Sequence, residues 1–396
     1  MACILADPGY YVASPGATAQ TACPAGETSP AGASSCTPLD SIPPTAAPTQ
    51  SSAANGAGWN NTDVTVNWNW TDNADGSGID SANCTTSSTS SGEGTLTLNA
   101  TCKDKAGNTG SASYTVKVDK TAPIVSCGTA DSAWHASDVS IACSASDATS
   151  GLANTADASF NLTMNVASNT ETSSASTNSR SVADNAGNST TAGPIAGNKI
   201  DKKAPSITIT SPTATSYLLN QVVAANFSCS DGGSGVASCV GTVANGANIN
   251  TGSGGAKTFT VNATDNVGNA SIVSVNYNVS YNFTGFFQPI DNLPTLNVVK
   301  AGSAIPVKFS LGGNQGLNIM AAGYPVSQRV ACNSSDPLDT IEETVAAGGS
   351  SLSYDATTNQ YTYVWKTDKA WANTCRQLHV KLSDGSDHIV DFKFTK

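Results

Sequence analysis

Asp104-Lys105-Ala106-Gly107-Asn108, Asp184-Asn185-Ala186-Gly187-Asn188 and Asp265-Asn266-Val267-Gly268-Asn269 write one five-residue pattern three times, about eighty residues apart. Leu96, Leu98, Ala100 and Cys102 alternate with polar residues before the first copy. Ala112, Tyr114, Val116 and Val118 do the same after it. Alternation at period two puts one set of side chains on each face of a strand. Each pentapeptide therefore reads as the turn of a β-hairpin. Its Asp accepts backbone N–H groups, its Gly takes a positive φ, and its Asn tolerates a left-handed backbone. Asp104, Gly107, Asn108, Asp184, Gly187, Asn188, Asp265, Gly268 and Asn269 are the expected structural turn residues. A period of this length predicts a repeated β-domain.

The flanking strands repeat as well. Val64, Val66, Trp68 and Trp70 alternate with Thr65, Asn67 and Asn69. The opening Trp59-x-x-x-Asp63-Val64-Thr65-Val66 returns as Trp134-x-x-x-Asp138-Val139-Ser140-Ile141. A third set runs Val223, Ala225, Phe227, Cys229, then Phe259, Val261, Ala263, then Val273, Val275, Tyr277, Val279. One buried and one wet face is the pattern of antiparallel sheets packed as a sandwich. Between early strands lie Gly76-Ser77-Gly78-Ile79, Thr149-Ser150-Gly151-Leu152 and Gly233-Ser234-Gly235-Val236, preceded by Asp75, Asp147 and Asp231. Asp119-Lys120-Thr121-Ala122-Pro123 and Asp201-Lys202-Lys203-Ala204-Pro205 close one repeat and open the next. Proline there removes a ladder donor and fixes φ, which stiffens the seam. A semi-rigid rod with almost no free linker is expected.

Together these motifs, over about residues 57–280, resemble the bacterial Ig-like repeats found in tandem on secreted and surface proteins. The expected repeats are 58–121, 122–203 and 204–280. Residues 41–57, rich in Pro, Ser, Thr and Ala, read as a linker. In residues 1–40, Pro8-Gly9-Tyr10-Tyr11 and the stretch from Cys23 to Cys36 resemble the ephrin-receptor-like cysteine-rich repeat. Cys3-x-x-x-Asp7 is echoed by Cys36-x-x-x-Asp40, a period of 33 residues. That register implies a Cys23–Cys36 pair and a partner for Cys3 upstream. Residues 281–396 carry Phe286-Phe287-x-Pro289-x-Asp291-Asn292, Ile305-Pro306-Val307-Lys308-Phe309, Tyr361-x-Tyr363-x-Trp365-Lys366 and a hairpin around Ser383-Asp384-Gly385. They resemble the PxKF domain, a β-domain that often ends bacterial extracellular proteins. The fold class expected is thus all-β, with tandem Ig-like sandwiches, a small disulfide-rich N-terminal segment and a sandwich-like C-terminal domain.

Composition narrows the function classes. Only 12% of the 396 residues are charged, and the formal net charge is -11. Residues 1–280 hold 9 Lys/Arg against 19 Asp/Glu, whereas 281–396 hold 9 against 10. The acidity belongs to the repeats, and an acidic body repels polyanions, so no nucleic-acid partner is expected. No apolar run reaches membrane-span length, so no membrane insertion is expected either. Eleven cysteines accompany only three histidines, with no CxxC pair. This points to disulfides in an oxidising compartment rather than zinc. The pairs expected within domains are Cys84–Cys102, Cys127–Cys143, Cys229–Cys239 and Cys332–Cys375. Met1-Ala2-Cys3-Ile4-Leu5-Ala6-Asp7 is not a signal peptide, so the chain is expected to begin inside a longer protein.

The aspartates raise one cofactor, calcium, with Asp104 beside Asp72 or Asp75 and Asp265 beside Asp231 as oxygen ligands. The reading preferred is that these acids cap their own turns, since no full calcium-loop series is present. No cofactor-binding or catalytic residue is expected. His135 follows Trp134 at the start of a strand, His379 and His388 flank the last hairpin on exposed phases, and none lies near a nucleophile elbow. Trp59, Trp68, Trp70 and Trp134 form either a glycan platform or core, and their alternation favours core. The Asn-x-Ser/Thr triplets at Asn69, Asn99 and Asn262 are expected by chance in so polar a chain. The function expected is a non-catalytic, monomeric, extracellular or cell-surface presentation module, contacting an unidentified glycan or protein. A binding module, or the accessory region of a secreted hydrolase, is the alternative.

Overall fold

The computed structural model describes residues 5–15, 17–347 and 351–396. Cys3 lies outside them. The described chain is all-β, interrupted by short 3-10 turns at Thr155–Ala158 and Lys369–Trp371. No described helix is long and apolar enough to cross a membrane. Two compact units emerge. One comprises Met1–Ala133, Asp138–Asn165 and Ser174–Asn198; the other comprises Trp134–Ser137, Val166–Ser173 and Lys199–Lys396.

In the first unit, the cysteine-rich segment forms two small hairpins, Tyr10–Tyr11 with Thr21–Ala22 and Glu27–Thr28 with Thr37–Pro38. The first repeat is built on strands Gly94–Asp104 and Thr109–Val118. They pair without a break from Gly94↔Val118 to Lys103↔Thr109. Their inward residues Ala100, Val116 and Val118 pack with Val64, Val66 and Trp68. The second repeat places Ile124–Cys127, Ser140–Ser146 and Ser159–Thr163 in one sheet and Arg180–Ala183 with Ser189–Ala192 in another. Cys143, Phe160, Leu162 and Val182 form its core.

Residues 41–57 are not a linker. Thr45–Ala46 pairs with Trp70–Thr71, and Thr49–Gln50 pairs with Thr65–Asn67. The segment supplies the opening edge of the first sandwich. Prolines 43, 44 and 48 disguise it, because an edge strand tolerates residues that cannot donate to a ladder.

In the second unit, Gly255–Asp265 and Ala270–Ser280 repeat the long hairpin, from Gly255↔Val279 to Thr264↔Ala270. Phe227, Phe259, Val261, Tyr277 and Val279 fill the third repeat. The C-terminal domain stacks two five-stranded sheets. One centres on Ala304–Phe309 and Gln360–Lys366, the other on Cys375–Lys381 and Asp387–Thr395. Val307 and Phe309 alternate inward with Tyr361 and Trp365, and meet Val390, Phe392 and Phe394.

Candidate functional site

Each pentapeptide turn is closed by the same bonds. The Asp N–H donates to the Asn carbonyl at 3.1, 3.0 and 3.0 Å in the three copies. Asp Oδ1 accepts the Asn N–H at 2.9, 2.9 and 2.8 Å, and Oδ2 accepts the Asn side-chain amide at 2.7, 2.8 and 2.6 Å. Gly107, Gly187 and Gly268 sit at φ 95°, 97° and 94°, where a Cβ would be strained.

The same Asn amide reaches beyond its own turn. Asn108 Nδ2 donates to the Asp40 carbonyl at 2.9 Å, Asn188 to that of Asp119 at 2.8 Å, and Asn269 to that of Asp201 at 2.9 Å. Each of these seam acids turns its carboxylate to the serine of the Gly/Thr-Ser-Gly motif. Ser77, Ser150 and Ser234 donate their N–H at 2.9, 3.0 and 2.7 Å. A third acid takes the next glycine N–H: Asp72 from Gly78 (2.6 Å), Asp147 from Gly151 (2.7 Å) and Asp231 from Gly235 (2.7 Å). The turn, the serine motif and the seam, far apart in sequence, thus meet in one polar joint at the head of each repeat.

One participant was not expected, and a second decides between the two acids expected beside Asp104. Asp40 is the seam acid of the first repeat, and Asp40-Ser41-Ile42-Pro43-Pro44 has the same Asp-x-x-x-Pro spacing as the other two seams. That signal was present but hidden in the Pro/Ser-rich composition. At the serine motif, Asp72 rather than Asp75 holds the first joint, because two extra residues separate it from Gly78 compared with the later copies.

Acid oxygens crowd at every joint. Asp40, Asp72 and Asp104 offer oxygens within 4.8 Å of one another, as do Asp119, Asp147 and Asp184, and Glu171, Asp201 and Asp231. Asp265 is not in the third trio; Glu171 stands in its place. Like charges this close oppose ionisation unless N–H donors offset them. In the first trio each carboxylate oxygen has one: Ile42 and Ser77 serve Asp40, Asn73 and Gly78 serve Asp72, and Asn108 serves Asp104 twice. The Ser77 and Ile42 N–H groups hold Asp40 below the usual carboxylate value. At Asp201 burial pushes the pKa up, but the Ser234 and Lys203 donors prevail and hold it low. In the third trio, Glu171 Oε2 and Asp231 Oδ1 are buried with no hydrogen-bond partner among the described residues. Glu171 Oε1 pairs with Lys203 Nζ at 3.2 Å. The first joint is a complete set of caps; the third is not.

The sulfurs are bonded as Cys23–Cys36, Cys84–Cys102, Cys127–Cys143, Cys229–Cys239 and Cys332–Cys375. Cys84–Cys102 and Cys127–Cys143 join neighbours on paired strands, whereas Cys229–Cys239 joins strands of two different sheets. Trp68 is wholly buried, and Trp59, Trp70 and Trp134 are half-buried, so these four form no exposed aromatic row. His379 and His388 are also half-buried, not exposed. His388 shares its strand phase with Val390, Phe392 and Phe394 and stacks on Phe283. His379 faces the other way and pairs with Asp387 at 2.9 Å.

Residues 39–118 match the HYR domain family, a span that begins beside Asp40 and stops one residue short of Asp119. No curated protein matches the chain. Among solved structures, the chain is similar to the protocadherin gamma B2 extracellular cadherin domains 1–5, at 14% identity over 76% of this chain and 65% of that one, with a TM-score of 0.24. It is similar to a tetra-tandem repeat from the extending region of a large adhesion protein, at 16% identity over 88% and 99%, with a TM-score of 0.28. It is also similar to the human desmocollin-1 ectodomain, at 11% identity over 76% and 65%, with a TM-score of 0.25. The chain spans just under two thirds of the protocadherin and desmocollin chains.

Proposed function

We propose that this chain is a non-catalytic, adhesin-like spacer of a secreted or surface-displayed bacterial protein. In this reading three Ig-like repeats follow the end of an ephrin-receptor-like repeat and lead into a PxKF-type domain. The observation that carries it is the thrice-built joint. A seam carbonyl bound by an Asn amide, and a seam carboxylate bound by a Ser N–H, tie the entering chain to the head of each sandwich. Such ties restrict rotation at the seam without adding an apolar interface, which suits a module that spaces other domains. The five disulfides suit an oxidising exterior. The contacted partner is then an extracellular protein or glycan met by the presented domains.

Small-angle scattering tests the spacer directly. A compact globule of this length has a radius of gyration of about 21 Å. The expected value lies well above that and holds constant with salt. A value near that of a globule would overturn the reading.

A further inference from the structure

The C-terminal domain meets the third repeat through a joint of different chemistry. Asp384, in the turn of the last hairpin, is 2% exposed. Its Oδ2 accepts the Tyr281 N–H at 2.6 Å, and its carbonyl accepts Asn278 Nδ2 at 3.1 Å. Tyr281 Oη and Ser383 Oγ lie 3.0 Å apart. The turn is therefore seated on the end of strand Ala270–Ser280. Asp384 Oδ1 accepts the Ser386 N–H (2.8 Å) and hydroxyl (2.6 Å). With its proton committed to Asp384, the Ser386 oxygen accepts from His388 Nε2 at 3.0 Å. The His388 ring lies flat on Phe283, centroids 3.5 Å apart and planes 8° apart. One imidazole thus bears on Phe283 of the connecting segment through the stack, and on the Asp384 turn through the hydrogen-bond relay.

We propose that this joint opens in mild acid, with His388 as the group whose protonation releases it. The groups facing His388 can be taken element by element. Asp384 and Asp387, on its own hairpin, favour the imidazolium. Phe283, on the connecting segment, is uncharged. Val380, its register partner on the adjacent strand, is uncharged too. His379, on that same strand, is engaged by Asp387. Burial prevails over the two acids and holds the His388 pKa below 6.5. A base with a depressed folded pKa keeps its full stabilising effect above the unfolded value. It loses that effect as pH falls through the folded one. Nε2 already holds a proton, so the added one goes to Nδ1. Hydrating the cation draws the ring off Phe283 and withdraws the Nε2–H donor from Ser386, which loosens the turn that seats Asp384.

Hydrogen exchange on the full chain at pH 7.5 and 5.5, corrected for intrinsic rates, tests this on peptides covering 278–286 and 383–388. Protection there is expected to fall by roughly threefold or more at pH 5.5, while the Asp-x-x-Gly-Asn turns keep theirs. His388→Phe retains a stacked ring that cannot take a proton, and should abolish the response. If near-ultraviolet dichroism shows that this variant fails to fold, His388→Gln serves instead and must be equally insensitive to pH. No response in the wild type, or the same response in the variant, would overturn the proposal.

Discussion

The repeats and the C-terminal domain solve one problem, fixing a β-sandwich, with opposite materials. Among the described residues, the core of the C-terminal domain gathers 17 buried side chains, including Trp365, Tyr361, Phe309, Phe392 and Phe394. The three repeats gather 6, 6 and 7. Cores that small supply little apolar burial at ~25 cal/mol per Å². The repeats compensate with disulfides and with buried aspartates saturated by N–H groups. Apolar packing tolerates exchange of similar side chains, whereas a saturated carboxylate tolerates almost none. Hence the repeats carry spelled-out polar motifs and the C-terminal domain carries an aromatic alternation.

The sharpest way to break this comparison is Trp365→Ala. Trp365 is fully buried against Trp371, Phe392 and Phe394. The expected loss is about 3–5 kcal/mol. In calorimetry it should remove or greatly lower the transition of the C-terminal domain. The transitions of the first two repeats should move little, because distant sites act independently. An equal shift in all transitions would mean that the domains do not melt as separate bodies.

Next in size is Asn188→Ala, which leaves apolar packing untouched. It removes the donor to the Asp119 carbonyl and to Asp184 Oδ2. Both acids are buried, at 0% and 2% exposure, so their oxygens are left without a partner. The expected cost is about 1–3 kcal/mol, read as a lower urea midpoint for the second repeat. A cost near zero would show that water satisfies these oxygens and that the joint is ornamental to stability.

How much of this was legible in the sequence follows from the same contrast. The alternation of Leu98, Ala100 and Cys102 fixes which face turns inward, and the pentapeptide names its own turn. What the turn's Asn does with its second amide hydrogen is not local. Its acceptor is a carbonyl nearly seventy residues upstream, and backbone groups leave no mark in composition. Asp40 escaped because its seam sits in a Pro-rich stretch that reads as a linker. His388 was misplaced for a plainer reason. Its phase with Val390 and Phe392 marks it as inward, but a polar residue beside a turn invites an exposed reading.

The smallest effect separates the joints from one another. Asp72 in the first joint accepts Asn73 and Gly78 N–H groups, one on each oxygen. In Asp72→Asn an amide N–H₂ must face an N–H donor, so about 1 kcal/mol of stability should be lost. Among the described residues, Asp231 in the third joint accepts on Oδ2, from Gly235, and its buried Oδ1 meets no donor. In Asp231→Asn the carbonyl can keep Gly235 while the new N–H₂ meets the oxygens of Glu171 and Asp201. The like-charge repulsion falls by one carboxylate, and stability should rise by roughly 0.5–1 kcal/mol. Both variants are measured in denaturant with a chelator present, so that stray divalent ions do not neutralise the carboxylates in place of the missing donor. Opposite signs would establish that the first and third joints share a geometry but not an electrostatic balance. If both variants lose stability equally, the third joint is as fully capped as the first, and a donor to Asp231 Oδ1 must come from water.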